Sequence, residues 1–99
     1  MRYIQLVEFR STHPAEEVRR ALDDWLAVTR GKRTLETAIV AFEHDEPNHY
    51  WELLEYPSED AARVATELPE TRTAYERWIS LVEGEPAFHN LDVVEHVEE

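Results

Sequence analysis

The sequence predicts an α+β domain of ferredoxin-like type: elements in the order β-α-β-β-α-α-β, forming an antiparallel four-stranded sheet with helices on one face. Three observations lead there. Leu35 to Tyr56 (LETAIVAFEHDEPNHYWELLEY) holds two apolar, β-forming runs, Thr37–Phe42 and Tyr50–Tyr56, around a polar turn at Asp45-Glu46-Pro47-Asn48. A hairpin is not stable alone and needs further strands. One apolar run precedes it and one follows, and each gap carries helical periodicity. Right-handed crossovers and antiparallel hairpin pairing then give the split βαβ arrangement.

The elements follow in order. Tyr3–Phe9 (YIQLVEF) carries apolar groups on both faces, the mark of a strand covered on both sides. Pro14 suits a helix start, with Glu16 and Glu17 in the first turn. Val18, Leu22, Trp25, Leu26 and Thr29 recur at helical spacing, and Gly31 ends a helix over about 14–30. After the hairpin, Ser58 can cap a small-residue helix that runs to Leu68. Pro69 interrupts that helix and starts a third, with Ala74, Tyr75, Trp78, Ile79 and Val82 on its apolar stripe. Glu83-Gly84-Glu85-Pro86 closes this helix, and Phe88–Val97 reads as the last strand.

Length and composition narrow the function classes. The 99 residues (1–99) make a single domain, and 42% apolar content excludes disorder. With no cysteine there are no disulfides, thiolate chemistry or Cys-based metal sites. A net charge of −12 repels nucleic acid and anionic membranes. No apolar run reaches membrane-spanning length, and MRYIQLVEFR reads as a strand and not as a signal peptide, so a cytoplasmic protein is expected.

Alternation divides the sheet into two sets. Ile4, Leu6, Ala38, Val40, Phe42, Trp51, Leu53, Leu91 and Val93 are almost purely apolar and are expected under the helices. The other set holds Tyr3, Gln5, Val7, Phe9, Ile39, Ala41, Tyr50, Glu52, Leu54, Tyr56, Phe88, Asn90 and Val94. It would be left uncovered, yet it is too apolar to face water, so a homodimer is expected to cover it. Glu52 and Asp92 fit that face badly and are expected at its rim, or paired with Arg2, Arg10 or tyrosine hydroxyls.

The whole element order resembles the dimeric α+β barrel superfamily, and within it the antibiotic biosynthesis monooxygenase-like domains. The most specific local match is Tyr56-Pro57-Ser58-Glu59-Asp60-Ala61, similar to that family's step from the third strand into the second helix. The closing strand is similar too. The resemblance implies a homodimeric barrel with a small-molecule pocket between each sheet and its own helices. Some such proteins oxidise polycyclic aromatics without metal or flavin; others cyclise polyketides or degrade haem, and some have no known activity. The family's frequent histidine one turn beyond Ala61 is replaced here by Ala65 and Thr66. The haem-degrading triad has only Trp51 as a counterpart: Gln5 stands where those relatives have Asn, and no helix after Trp51 carries a His.

Side chains that could carry chemistry are few. His49 and His89 share the parity of Trp51, expected to face the helices, and either would serve as a general base in a pocket. A strand-end His hydrogen-bonded at the rim is the commoner outcome. Gln5 and Asn90 are potential polar anchors. Trp25, Trp51 and Trp78 would stack a flat ligand if they line one cavity, although plain core packing is what such residues usually do. His44, Asp45, Glu46 and His49 gather at the hairpin turn, match no metal motif and read as a solvated turn, so no metal is assigned. Gly31 and Gly84 are too few for a phosphate loop, and no nucleophile elbow is present.

These features support a cofactor-independent monooxygenase-like enzyme acting on a small aromatic or polyketide-derived substrate. A base removes a proton and the carbanion reduces oxygen. The alternative is a non-catalytic ligand-binding or stress-related dimer with the same pocket.

Overall fold

The computed structural model describes residues 1–99. The strands are β1 (Tyr3–Arg10), β2 (Thr37–Glu43), β3 (Glu46–Tyr56) and β4 (Glu83–Asp92); the helices are α1 (Ala15–Val28), α2 (Glu59–Glu67) and α3 (Pro69–Ile79). The chain runs β1-α1-β2-β3-α2-α3-β4, and the strands lie in the order β2-β3-β1-β4, every pair antiparallel. This is the ferredoxin-like α+β sheet, with three helices on one face.

Local chemistry explains the helix ends. Pro14 stands at the N-cap of α1, and its carbonyl accepts from the Glu17 and Val18 amides. The Ser58 hydroxyl accepts from the Ala61 amide at 3.1 Å and caps α2. Leu68 is extended, as a residue before proline must be, and Pro69 opens α3.

Two element boundaries differ from expectation. The β2–β3 turn is tighter than 45–48: it closes at His44 and Asp45, the latter at φ 65°, in the left-handed region that aspartate tolerates. Pro47 and Asn48 lie inside β3, at its start, where a missing N–H costs least. The last strand begins at Glu83 and ends at Asp92, not at Phe88 and Val97. Gly84, at φ 74°, starts it, and Pro86 is tolerated because β4 is an edge strand.

The tighter turn reverses part of the face assignment. A turn over 45–48 would oppose Phe42 to Trp51. The observed register opposes Phe42 to Tyr50, Val40 to Glu52 and Ala38 to Leu54. A one-residue slip moves a whole strand to the other face. Ala38, Val40 and Phe42 therefore join Tyr3, Gln5, Val7, Phe9, Tyr50, Glu52, Leu54 and Tyr56, not Trp51 and Leu53. This joint set is the one under the helices. Val7, Phe9 and Tyr50 pack with Val18 of α1, and Leu54 and Tyr56 with Trp25, Ala62 and Ala65. Phe9 stacks on Tyr50 at 5.2 Å and meets Trp78 edge-on at 5.0 Å. The face without helices instead carries Ile4, Leu6, Glu8, Ile39, Ala41, His49, Trp51, Leu53, His89 and Leu91. The expectation that Ile4, Leu6, Trp51, Leu53 and Leu91 lie under the helices is thus overturned.

Candidate functional site

Between the sheet and its helices lies a cavity of about 160 Å³, open on one side. That is the size of an engineered apolar cavity that takes a benzene molecule. The sheet supplies Gln5, Val7, Glu52, Leu54, Tyr56 and Phe88; α1 supplies Trp25, and α3 supplies Tyr75 and Trp78. Most of the lining is apolar, so the polar groups stand out. They are the Gln5 amide, the Glu52 carboxyl, the phenols of Tyr56 and Tyr75 and the hydroxyls of Thr66 and Thr71, besides the indole N–H groups.

Each group is held in place by its element. The Trp25 indole N–H donates to Thr71 Oγ1 at 2.8 Å, and that hydroxyl donates to the Ala65 carbonyl at 2.6 Å. This relay ties α1, α3 and α2 together along one wall and fixes the Trp25 ring. Trp78 is held by Phe9, Tyr75 and Phe88, and its indole nitrogen is buried without a hydrogen-bond partner.

Glu52 is the unusual member. Its register partners are Val7 on one side and Val40 on the other, so no charged neighbour flanks it in the sheet. Nor does any residue form a salt bridge or side-chain hydrogen bond with its carboxyl. Burial without compensation disfavours the carboxylate and pushes its pKa up to about 7. Glu52 is half-buried by surface: protein packs densely around its carboxyl, while the cavity opens beside it. The expectation that Glu52 sits at a rim, or pairs with an arginine, is overturned. Tyr56, almost fully buried, has its phenol pushed up to about 12, first by burial and then by the nearby Glu52 charge. It is a neutral O–H donor across the whole physiological range.

The structure separates the residues singled out from sequence. Gln5, Trp25 and Trp78 line the cavity. Asn90 pairs with Gln5 across β1 and β4 but is exposed and outside the cavity lining. His49, His89 and Trp51 are on the opposite face of the sheet: Trp51 lies in register with Glu8, and His89 with Leu6. His49 Nε2–H donates to the Glu8 carboxylate, Oε2 at 2.6 Å, and the Trp51 indole N–H donates to Glu43 Oε1 at 2.9 Å. Sequence reasoning did not place Glu52 or Tyr56 in the site. A lone carboxylate in the apolar alternation Tyr50-x-Glu52-x-Leu54-x-Tyr56 was the available signal.

The sequence matches no family model and no curated protein. Solved structures do match. SnoaB, a cofactor-independent oxygenase from Streptomyces nogalater, superposes with a TM-score of 0.83 at 14% identity, over 99% of this chain and 98% of its own. Rv0793 from Mycobacterium tuberculosis gives 0.78 at 15% identity, over 99% of this chain and 100% of its own. An antibiotic biosynthesis monooxygenase gives 0.74 at 13% identity, over 96% of this chain and 100% of its own. This chain has the antibiotic biosynthesis monooxygenase-like fold. The shared architecture spans nearly every residue, while identities this low leave the side chains of the cavity free to differ.

Proposed function

We propose that the protein is a cofactor-independent monooxygenase-like enzyme for a small, largely apolar aromatic or polyketide-derived substrate, with Glu52 as its base. One observation carries this reading: an unpaired carboxyl in an apolar cavity, pushed up to about 7 by burial. A base poised near the working pH is mostly free to accept a proton and still basic enough to hold it. His49 and His89 lie on the far side of the sheet, so the base is drawn from the cavity itself.

The remaining lining suits the rest of the step. Glu52 removes a proton from an activated methylene. The Tyr56 O–H and the Gln5 amide donate to the oxygen that takes up the resulting negative charge. Trp25 and Trp78 hold the ring and keep water away. The substrate carbanion then reduces molecular oxygen and a C–O bond forms. Cleavage of the O–O bond releases water, so a CH₂ group and O₂ become a carbonyl and H₂O. The cavity volume favours one ring inside, with any larger part of the substrate extending through the mouth. The fold shared with a cofactor-independent oxygenase supports the same chemistry.

The same reading includes a homodimer through the helix-free face. Ile39 and Leu91 are 52% and 42% exposed there, beside Ile4, Leu6, Trp51 and Leu53. A contiguous apolar patch of that kind is normally covered.

Oxygen uptake in the presence of small hydroxyaromatics bearing an acidic C–H tests the proposal. Wild-type protein should consume oxygen and form the carbonyl product. Replacing Glu52 with Gln should remove the activity, and replacing Tyr56 with Phe should weaken it. Unchanged uptake in the Glu52→Gln protein would refute the assignment.

A further inference from the structure

On the helix-free face, at the hairpin end, Glu43, Glu46 and His49 each present one potential ligand atom, all within 4.8 Å of one another. We propose that these three residues form a site for a divalent first-row cation of the zinc type. The site lies across the sheet from the cavity and does not depend on the activity assigned there.

The environment of His49 is the first argument. Its imidazole is 11% exposed. Nε2 is 2.6 Å from Glu8 Oε2, and a carboxylate at that distance keeps the ring proton on Nε2. In the neutral ring the other nitrogen, Nδ1, is then a bare lone pair. It is fully buried, has no hydrogen-bond partner, and faces Glu46 Oε2 at 3.9 Å. A buried nitrogen without a partner beside a carboxylate is a position that a positive charge between the two would satisfy, a proton or a metal ion. The third ligand atom within reach, from Glu43, favours the metal ion.

The second argument is the support behind the ligands. Metal-binding histidines usually donate their other N–H to a carboxylate, and Glu8 does this for His49. Glu43 is oriented likewise, by the Trp51 indole N–H at 2.9 Å. The third argument is charge. Glu8, Glu43 and Glu46 form no ion pair with any Lys or Arg; the only ion-pair partner of Glu8 and Glu46 is His49.

One imidazole and two carboxylates suit zinc and its neighbours, with water in the fourth position. Tetrahedral coordination at ~2.1 Å brings ligand atoms to about 3.4 Å from one another. The closing movement falls to Glu46, the most exposed of the three. His44 and Asp45, next to the site in sequence, are 97% and 88% exposed and take no part.

Calorimetric titration of the full chain with zinc chloride tests this. One Zn²⁺ per chain is expected, with a dissociation constant in the micromolar range and a raised melting temperature at saturation. His49→Ala and Glu43→Gln should each weaken binding at least tenfold. Glu8→Gln should weaken it about 10–100-fold by releasing the ring orientation. His44→Ala, which removes an exposed imidazole close by, should change nothing. If His49→Ala is poorly folded by circular dichroism, Glu43→Gln carries the test, since Gln can still accept from Trp51. No saturable binding below millimolar zinc would overturn the site. So would equal losses from His44→Ala and Glu43→Gln, which would mean adventitious binding by exposed groups.

Discussion

Glu52 and Glu55 sit on the same strand and project from opposite faces of the sheet. Glu55 is 4% exposed and faces away from the helices, where Arg2 at 3.9 Å and His96 at 3.4 Å lie against its carboxylate. Glu52 faces the cavity between Val7 and Val40 and has no partner. A buried carboxylate with cationic partners is ordinary structure. A carboxyl crowded by apolar groups without one imposes a cost that the rest of the fold must offset, and such sites collect at places of function. The same residue type on one strand thus meets two environments, decided by which face it points from.

The largest expected effect is on chemistry. Glu52→Gln keeps shape and removes the base, so turnover should fall by about 10²–10⁴-fold. If Glu55→Gln lowered turnover as much, the contrast between the two carboxylates would collapse.

The next effect is on assembly. Leu53 lies on the helix-free face in register with Leu6 and Ile39. Leu53→Asp should weaken self-association by several kcal/mol, the cost of an unpaired charge in an apolar contact. Sedimentation equilibrium reads this directly. A wild-type chain that stays monomeric at micromolar concentration would remove the dimer from the proposal.

Stability should move in the opposite direction from activity at Glu52. Its folded pKa, about 7, lies above the ordinary value of 4.5. Between those values the unfolded chain is ionised while the native one holds its proton, so stability falls as pH rises from 4.5 to 7. Below that window the group has no effect, and above it the loss is complete. Glu52→Gln should therefore stabilise the protein by about 3 kcal/mol at pH 8 and by nothing at pH 4, measured by urea unfolding. Equal effects at both pH values would show that the carboxyl is not held protonated. Glu55→Gln, in contrast, should lose about 1 kcal/mol by weakening its contacts with Arg2 and His96, both partly exposed.

The smallest effect is expected at His89, exposed and in register with Leu6 on the helix-free face. His89→Ala should leave turnover within about twofold of wild type, because a group across the sheet cannot take a proton from a ligand in the cavity.

The sequence by itself determined the elements and their order. Apolar period, Ser58, Pro69 and the hairpin composition are local signals, read over a few residues, and the structure repeats them with shifts at the β2–β3 turn and in β4. Alternation also sorted Tyr3, Gln5, Val7 and Phe9 from Ile4 and Leu6 correctly. Only the tertiary structure decided which of those sets the helices cover. Both faces are apolar here, so composition could not choose between them. The choice turned on register: a turn at His44-Asp45 in place of 45–48 slips β2 by one residue against β3 and exchanges its faces. The same uncertainty hid the cavity carboxyl. Glu52 was visible as the odd carboxylate in an apolar run, but whether it met water, an arginine or a cavity depended on α1 and α3 packing over it, a contact between residues far apart in the chain.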